Sequence, residues 1–162
     1  MKNLMIIIIA CQSFMNLNAQ CDYKTNNRPD GNTIKYFNPK PIIRETSYEV
    51  GASVYYNQTS NKYFINLTVL FLTMTQQDIS GDLTIQLENS SSSIMLKMSE
   101  SNKVQMNGRN VTVALFEIDS KSLKLLETRQ LKSVFFKMNG KTYGSSISNN
   151  KSLFINQLSC FF

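Results

Sequence analysis

Residues 62–74 constrain the fold more than any other part of the sequence, because they alternate with the two-residue period of a β-strand. One face of that strand collects the side chains of Tyr63, Ile65, Leu67, Val69 and Phe71. The other face adds those of Phe64, Leu70 and Leu72. A strand that is apolar on both faces is usually central in its sheet, so we expect Ile65, Leu67 and Val69 to be buried in the middle of a domain.

Shorter strand patterns lie on both sides of this segment, and residues typical of turns separate them. They cover residues 49–56, 83–87, 94–98, 111–118 and 134–138. Residues 83–87 and 94–98 have the spacing of the two arms of a hairpin. Asn139 and Gly140 form the strongest hairpin signal in the chain, because a two-residue turn needs residues that tolerate positive φ. The sequence therefore predicts a second hairpin at that turn.

Two short helices are predicted in the second half of the chain. Asp119 can cap the first helix, which places Leu123 and Leu126 on one face. The second helix is C-terminal and carries a largely apolar stripe. The stripe is formed by Leu153, Phe154, Gln157, Leu158 and Phe161. We expect this stripe to pack on the sheet.

Together these elements predict an α+β fold. Its main part is an antiparallel sheet of about six to eight strands, curled or split into a sandwich, with a short crossover helix and a C-terminal helix. Residues 21–41 are polar and contain three prolines, so they are predicted to be an irregular lead-in. Residues 21–162 are interpreted as a single β-rich domain, since this length is ordinary for one hydrophobic core.

Residues 1–20 show the order of features that is typical of a secretory signal peptide. Lys2 gives a positive start, residues 4–10 form an uncharged apolar run, and cleavage is predicted after Gln20. The run is too short to cross a hydrocarbon core of ~30 Å as a helix. We therefore expect an exported protein, periplasmic, outer-surface or secreted, without an integral membrane segment after cleavage. A buried N-terminal segment, or lipid attachment at Cys11 as in bacterial lipoproteins, is the alternative.

Two cysteines, Cys21 and Cys160, remain after this cleavage, and they lie at opposite ends of the mature chain. Outside the cytoplasm, such a pair is more often joined than free. We predict a disulfide between them, which requires the two Cα atoms to approach within about 7 Å. Two unpaired cysteines are the alternative.

Several of these features together resemble small exported proteins of the Bacteroidetes. The signal peptide ends in Ala-Gln, the mature chain begins at Cys21, and residues 81–89 read Gly-Asp-Leu-Thr-Ile-Gln-Leu-Glu-Asn. A strand, a Leu-rich helix and an Asn-Gly hairpin follow, and the last helix closes in Asn-Gln-Leu-Ser-Cys at residues 156–160. The resemblance covers roughly residues 60–162. It implies an exported α+β domain and supplies no catalytic residues.

The composition excludes several kinds of site. The chain has no histidine, and therefore no Ser-His-Asp or Cys-His arrangement and no histidine zinc site. No glycine-rich phosphate-binding motif is present, and we predict no cofactor. Asp78 and Asp82 are interpreted as a polar turn rather than a calcium loop, and Glu117 and Asp119 do not mark a carboxylate pair. The positive residues behind the formal charge of +6 are scattered, which argues against nucleic-acid binding.

Tyr55, Tyr56 and Tyr63 are the candidate binding residues. With Phe64 they could form an exposed aromatic platform across one hairpin. Such residues are more often cross-strand core pairs, and that is the favoured interpretation, with the platform as the alternative. We interpret the chain as a non-catalytic binding or envelope-associated protein whose partner is an envelope protein or a glycan. One alternative is a small hydrolase that uses carboxylates alone. The other is an inhibitor or immunity-type protein that inserts a hairpin tip, for which Asn139 and Gly140 are the candidate.

Overall fold

The fold is known from a computed structural model that describes residues 21–162. The predicted signal peptide and the alternative lipid site at Cys11 lie outside the described residues. The strands in chain order are β1 (Lys24–Asn27), β2 (Thr33–Tyr36), β3 (Lys40–Arg44), β4 (Tyr48–Asn57), β5 (Lys62–Phe71), β6 (Ile79–Leu87), β7 (Ser93–Leu96), β8 (Met98–Met106), β9 (Arg109–Ile118), β10 (Leu131–Met138) and β11 (Lys141–Ser146). The helices are α1 (Ser120–Leu126) and α2 (Leu153–Leu158).

The strands form two antiparallel sheets. The larger sheet has seven strands in the order β1-β2-β4-β5-β9-β8, with β3 paired to β4 beside β2, and it curls into a half-barrel. The smaller sheet has four strands in the order β11-β10-β6-β7. This arrangement confirms the predicted α+β class, with a curled antiparallel sheet, a short helix between strands and a C-terminal helix.

The hydrophobic core lies between one face of each sheet. β5 is central in the larger sheet, and Ile65, Leu67 and Val69 are each 0% exposed, as the doubly apolar pattern predicts. The smaller sheet contributes the inward side chains of Leu83, Ile85, Leu87, Val134, Phe136 and Met138. Strand alternation therefore leaves the other face of the larger sheet directed away from this core.

The prediction for residues 21–41 is wrong, because they form β1, β2 and the start of β3 instead of an irregular lead-in. Their side chains are mostly exposed and polar, so no hydrophobic alternation marks them. Main-chain pairing holds them, because β1 pairs with β2, and both β2 and β3 pair with β4. These strands, and the polar strand β8, bring the total to eleven instead of the six to eight expected.

Two hairpins turn through Asn-Gly pairs. Asn139 and Gly140 have φ values of 47° and 74°, and Met138 pairs with Lys141 directly beside them. The predicted hairpin between β10 and β11 is therefore confirmed. The same geometry recurs at Asn107 and Gly108, which join β8 to β9 with φ values of 52° and 74°. Positive φ at both central residues matches the twist of the flanking strands.

The hairpin expected from residues 83–87 and 94–98 is present over most of its length. Leu83 pairs with Leu96, and Ile85 pairs with Ile94, in β6 and β7. Met98 belongs instead to β8 in the other sheet, so the chain crosses between the sheets at Lys97. The Lys97 carbonyl accepts a hydrogen bond from the Glu117 amide at 3.1 Å, and this bond ties the crossing point to β9.

Both helices are held by side-chain contacts to main-chain amides. Asp119 caps α1 as predicted, accepting hydrogen bonds from the amides of Lys121 and Ser122 at 2.9 Å each. The hydrogen bonds from Ser122 hold the pKa of Asp119 below its usual value. In α2, the Gln157 Oε1 atom accepts a 2.8 Å hydrogen bond from the amide of Val54. Val54 lies in β4 between the residues that pair with β2 and those that pair with β3.

A disulfide joins Cys21 to Cys160, with the two Cα atoms 5.7 Å apart, and this confirms the predicted staple. It connects residues that are 139 positions apart in the sequence. The residues beside it form the terminal aromatic cluster, which consists of Tyr23, Phe37, Tyr56, Tyr63 and Phe161. The disulfide thus lies at the same end of the core that these aromatic rings fill.

A candidate binding groove on the seven-stranded sheet

The face of the larger sheet that points away from the core contains a concave surface, which we name the outer groove. It has a volume of about 480 Å³. Six strands, β1, β2, β4, β5, β8 and β9, contribute lining residues, so the groove runs across nearly the whole curled sheet. Its lining is formed by Asn26, Arg28, Ile34, Tyr36, Tyr55, Asn57, Phe64, Ser99, Glu100, Val113 and Leu115.

The floor of the groove is aromatic and aliphatic. Tyr36 and Tyr55 lie opposite each other in β2 and β4, with ring centroids 5.3 Å apart and an interplanar angle of 48°. Tyr55 is in turn opposite Phe64 in β5. Val113 and Leu115 of β9 extend the apolar surface toward β8. All five side chains are half-buried, so the floor offers apolar area that residues 21–162 leave partly uncovered.

The two walls of the groove carry opposite charges. Arg28, in the turn between β1 and β2, lies on one wall, and Glu100 of β8 lies on the other. Both residues are exposed, and within residues 21–162 neither has an ion-pair partner. Lys62 and Glu117, next to Phe64, form an ion pair with each other, with the Lys62 Nζ atom 2.8 Å from the Glu117 Oε1 atom. Arg28 and Glu100 are therefore the charges that the groove leaves for a ligand.

Hydrogen-bonding groups accompany the positive wall. Burial, followed by the nearby Tyr36 phenol, raises the pKa of Tyr55, while Arg28 opposes that shift. The Tyr55 phenol is therefore protonated at neutral pH and is able to donate. The side-chain amides of Asn26 and Asn57 lie in the same part of the groove. Except for Glu100 and Ser99 on the opposite wall, the polar groups of the groove are thus concentrated at the β1–β2 side.

Polar atoms also lie at the centre of the outer face. Ser53 and Asn66 are opposite each other in β4 and β5, and they are only 0% and 2% exposed. The Asn66 Nδ2 atom donates to the Ser53 Oγ atom at 3.3 Å. Within the described residues, the Asn66 Oδ1 atom has no hydrogen-bond partner. This pair separates the outer groove from a second trough of about 520 Å³, lined among others by Leu70, Met106 and Arg109.

The structure does not bring the three predicted tyrosines together on one surface. Tyr55 lies in the outer groove, whereas Tyr56 and Tyr63 lie on the core-facing side of the same strands. The rings of Tyr56 and Tyr63 stack, with centroids 4.5 Å apart and an interplanar angle of 17°. Phe64, which the sequence analysis names with these tyrosines, lies in the groove opposite Tyr55. Sequence reasoning missed Tyr36 as a groove residue.

The other candidate residues from the sequence analysis are engaged in contacts that stabilise the fold. Asp78 forms an ion pair with Lys103 at 2.8 Å, and Asp119 caps α1. Asn139 and Gly140 are exposed at the β10–β11 turn, while Met138 beside them is 0% exposed. Among residues 21–162, no group of three or more acidic or cysteine side chains is placed to hold a metal ion.

Comparison with known proteins identifies no relative of this chain. No protein-family model matches it, and neither does any curated protein or any solved structure. In the part of the chain that the structure describes, no helix is long and apolar enough to cross a membrane. The chemistry of the outer groove is therefore the basis for inferring a function.

Proposed function

We propose that the protein is an exported, non-catalytic binding protein whose ligand lies in the outer groove. The observation that supports this proposal is the uncovered apolar floor between polar walls. Ligand sites commonly combine apolar and aromatic surface with a few polar groups that fix orientation. The aromatic surface of this groove comes from Tyr36, Tyr55 and Phe64. The polar groups that would fix the orientation of a ligand are the side chains of Arg28 and Glu100.

The groove lining favours binding over hydrolysis. A hydrolase that relies on carboxylates needs two of them within roughly 10 Å of each other. Glu100 is the single carboxylate among the groove residues, and the second trough also has one, Glu49. Glu49 is already paired with Arg44 at 3.1 Å. Neither concave surface has two carboxylates among its lining residues, and Glu117, on the same sheet face as Glu100, is already paired with Lys62 at 2.8 Å.

The proposed site of action is outside the cytoplasm, in the periplasm, on the outer surface or in the medium. The Cys21–Cys160 disulfide is compatible with export, because such bonds persist in oxidising compartments. The partner is then an envelope protein or a glycan. The resemblance to exported Bacteroidetes proteins supports the same proposal.

Nuclear magnetic resonance of the ¹⁵N-labelled protein tests whether the groove binds. The probes are a chito-oligosaccharide as a neutral glycan and a set of extended pentapeptides. We expect at least one probe to shift the amide signals of Tyr36, Tyr55 and Leu115, because the ligand would cover the floor. Tyr55→Ala should weaken that binding by about tenfold or more, the usual loss when a central aromatic anchor is truncated.

The matched control is Met95→Ala, which removes another partly uncovered apolar side chain, 65% exposed, from the smaller sheet. This control should leave binding unchanged. Tyr36→Ala provides a second groove variant in the short strand β2, so that a folding defect of one variant does not decide the result. Signals that move only on the smaller sheet, or binding that survives both groove variants, would refute the proposal.

A further inference from the structure

We infer that the outer groove takes an extended peptide segment with an acidic group at one end and a basic group at the other. This inference rests on the proposed binding function and adds the chemical class of the ligand. Its basis is the arrangement of opposite, unpaired charges on opposing walls. Arg28 would meet the acidic end, and Glu100 would meet the basic end.

Several neighbours strengthen the polarity of the groove. On the positive side, Lys24 of β1 pairs with Tyr36 in register, so both side chains are on the same face of the sheet. The phenol of Tyr55 and the amides of Asn26 and Asn57 add donors that suit a carboxylate. The opposite wall has Glu100 and the Ser99 hydroxyl, which suit an ammonium or guanidinium group.

The width of the groove matches a short extended chain. From β2 to β8 the sheet crosses four strand spacings, at β4, β5, β9 and β8. With about 4.8 Å for each spacing, the walls are at most about 19 Å apart. An extended chain advances about 3.3 Å per residue, so about five residues span that distance. The half-buried floor lies below the middle of such a segment and suits apolar side chains there.

A neutral glycan fits these features less well. It has no charge to compensate Arg28 and Glu100, and each of these groups would lose hydration without gaining an ionic partner. The rings of Tyr36 and Tyr55 are tilted by 48° to each other, so they do not form one flat platform for a sugar ring. A peptide places separate side chains against separate rings and is not limited in this way.

Five N-acetylated, C-amidated pentapeptides test the inference on the folded protein. Two have opposite charges at their ends, Asp-Val-Leu-Val-Lys and Lys-Val-Leu-Val-Asp. The others have Asp at both ends, Lys at both ends, or Gln at both ends. We expect one of the oppositely charged peptides to bind at least about fivefold more tightly than the Gln peptide, the gain typical of one partly exposed ion pair. Arg28→Gln and Glu100→Gln should each remove about fivefold.

Peptide direction provides a sharper readout. A nitroxide label next to the acidic end should broaden the signals of Arg28 and Asn26 more than those of Glu100. In the double variant Arg28→Glu/Glu100→Arg, the same label should instead broaden the Ser99 and Glu100 side of the groove. A role of these charges in folding alone would not reverse the orientation of the peptide. Lys121→Gln, on the exposed surface of α1, is the control that should change neither affinity nor direction.

The outcomes separate the two claims. If the chito-oligosaccharide or the Gln peptide binds in the groove as tightly as the oppositely charged peptides, the peptide inference is overturned and the proposed binding function stands. If the peptide with two Asp residues binds as tightly as the oppositely charged peptides, the claim that Glu100 binds a basic end is wrong. If no probe shifts the signals of Tyr36, Tyr55 or Leu115, the inference and the proposed function fail together.

Discussion

Tyr55 and Tyr56 are neighbours in β4, yet they belong to two different regions of the molecule. Tyr56 packs in the terminal aromatic cluster, stacked on Tyr63 and 5.4 Å from the ring centroid of Phe161. Tyr55 faces the outer groove, where Tyr36 is its one aromatic partner among the described residues. The same residue type therefore completes a packed core on one face of the sheet and leaves uncovered apolar surface on the other.

The difference follows from what covers each face. The core-facing side of the larger sheet meets the smaller sheet and α2, and the disulfide closes its end. On the outer face, by contrast, the floor of the groove is only half-buried within residues 21–162. Its side chains are nevertheless apolar at Phe64, Val113 and Leu115, which is unusual for a face that only meets water. In this chain, apolar side chains that the fold leaves partly uncovered indicate a binding surface better than aromatic residues as such, which also pack in the core.

The largest expected effect comes from truncating the core face of β5. Leu67→Ala should lower the free energy of unfolding by about 2–5 kcal/mol, because it leaves a cavity at a fully buried position. Leu70→Ala is the matched variant on the outer face of the same strand. It should cost only about 1 kcal/mol, since Leu70 is half-buried. Urea denaturation of both variants measures the contrast.

Equal costs for the two leucines would contradict the assignment of the faces. Circular dichroism of each variant before denaturation shows whether the sheet is intact, so that a loss of structure is not counted as a loss of stability. A cost below ~1 kcal/mol for Leu67→Ala would place β5 at an exposed edge, against its central position.

The second effect separates the two regions by their dependence on the disulfide. Reduction of the Cys21–Cys160 bond should lower the free energy of unfolding by about 2–4 kcal/mol, as for other bonds that close long loops. We expect the signals of Tyr56, Tyr63 and Phe161 to shift, while those of Tyr36 stay in place. In unreduced exported protein, mass spectrometry should show two hydrogens fewer than in the dithiol. Alkylation of both cysteines without prior reduction would contradict this prediction.

The main elements of the fold could be predicted from the sequence where side chains reveal burial. The alternation in β5 places Leu67 in the core, and Asp119 caps α1 as its position before a Leu-rich segment indicates. The Asn139–Gly140 turn was equally visible, because only a few residue types tolerate its backbone. Each of these features depends on a local rule that tertiary contacts did not override.

Elements held by main-chain pairing could not be predicted in the same way. β1 has polar, exposed side chains, β2 is only four residues long and half-buried, and β8 is a polar edge strand, so no clear alternation marks them. The Asn107–Gly108 pair is the sequence signal that could have indicated the β8–β9 hairpin. The outer groove depends on these same strands, because Arg28, Tyr36 and Glu100 are brought together by pairing between distant segments. The candidate site was therefore harder to predict than the core.

The smallest effect at neutral pH concerns the phenols of the two regions. Burial, and next the Tyr56 phenol beside it, raise the pKa of Tyr63 to about 12, and burial also raises the pKa of Tyr55. In the unfolded chain a tyrosine ionises near pH 10. The unfolded state therefore loses its proton first as the pH rises, and the folded state loses stability between about pH 10 and pH 12.

Tyr63→Phe should leave stability at pH 7 nearly unchanged and should reduce this alkaline loss. Tyr55→Phe should have the same direction of effect. Urea denaturation at several pH values, together with the rise in phenolate absorbance, measures both variants. If Tyr63→Phe left the alkaline loss intact, Tyr63 would have to ionise in the folded protein as readily as an exposed phenol, and the packing of the terminal aromatic cluster would be wrong at its centre.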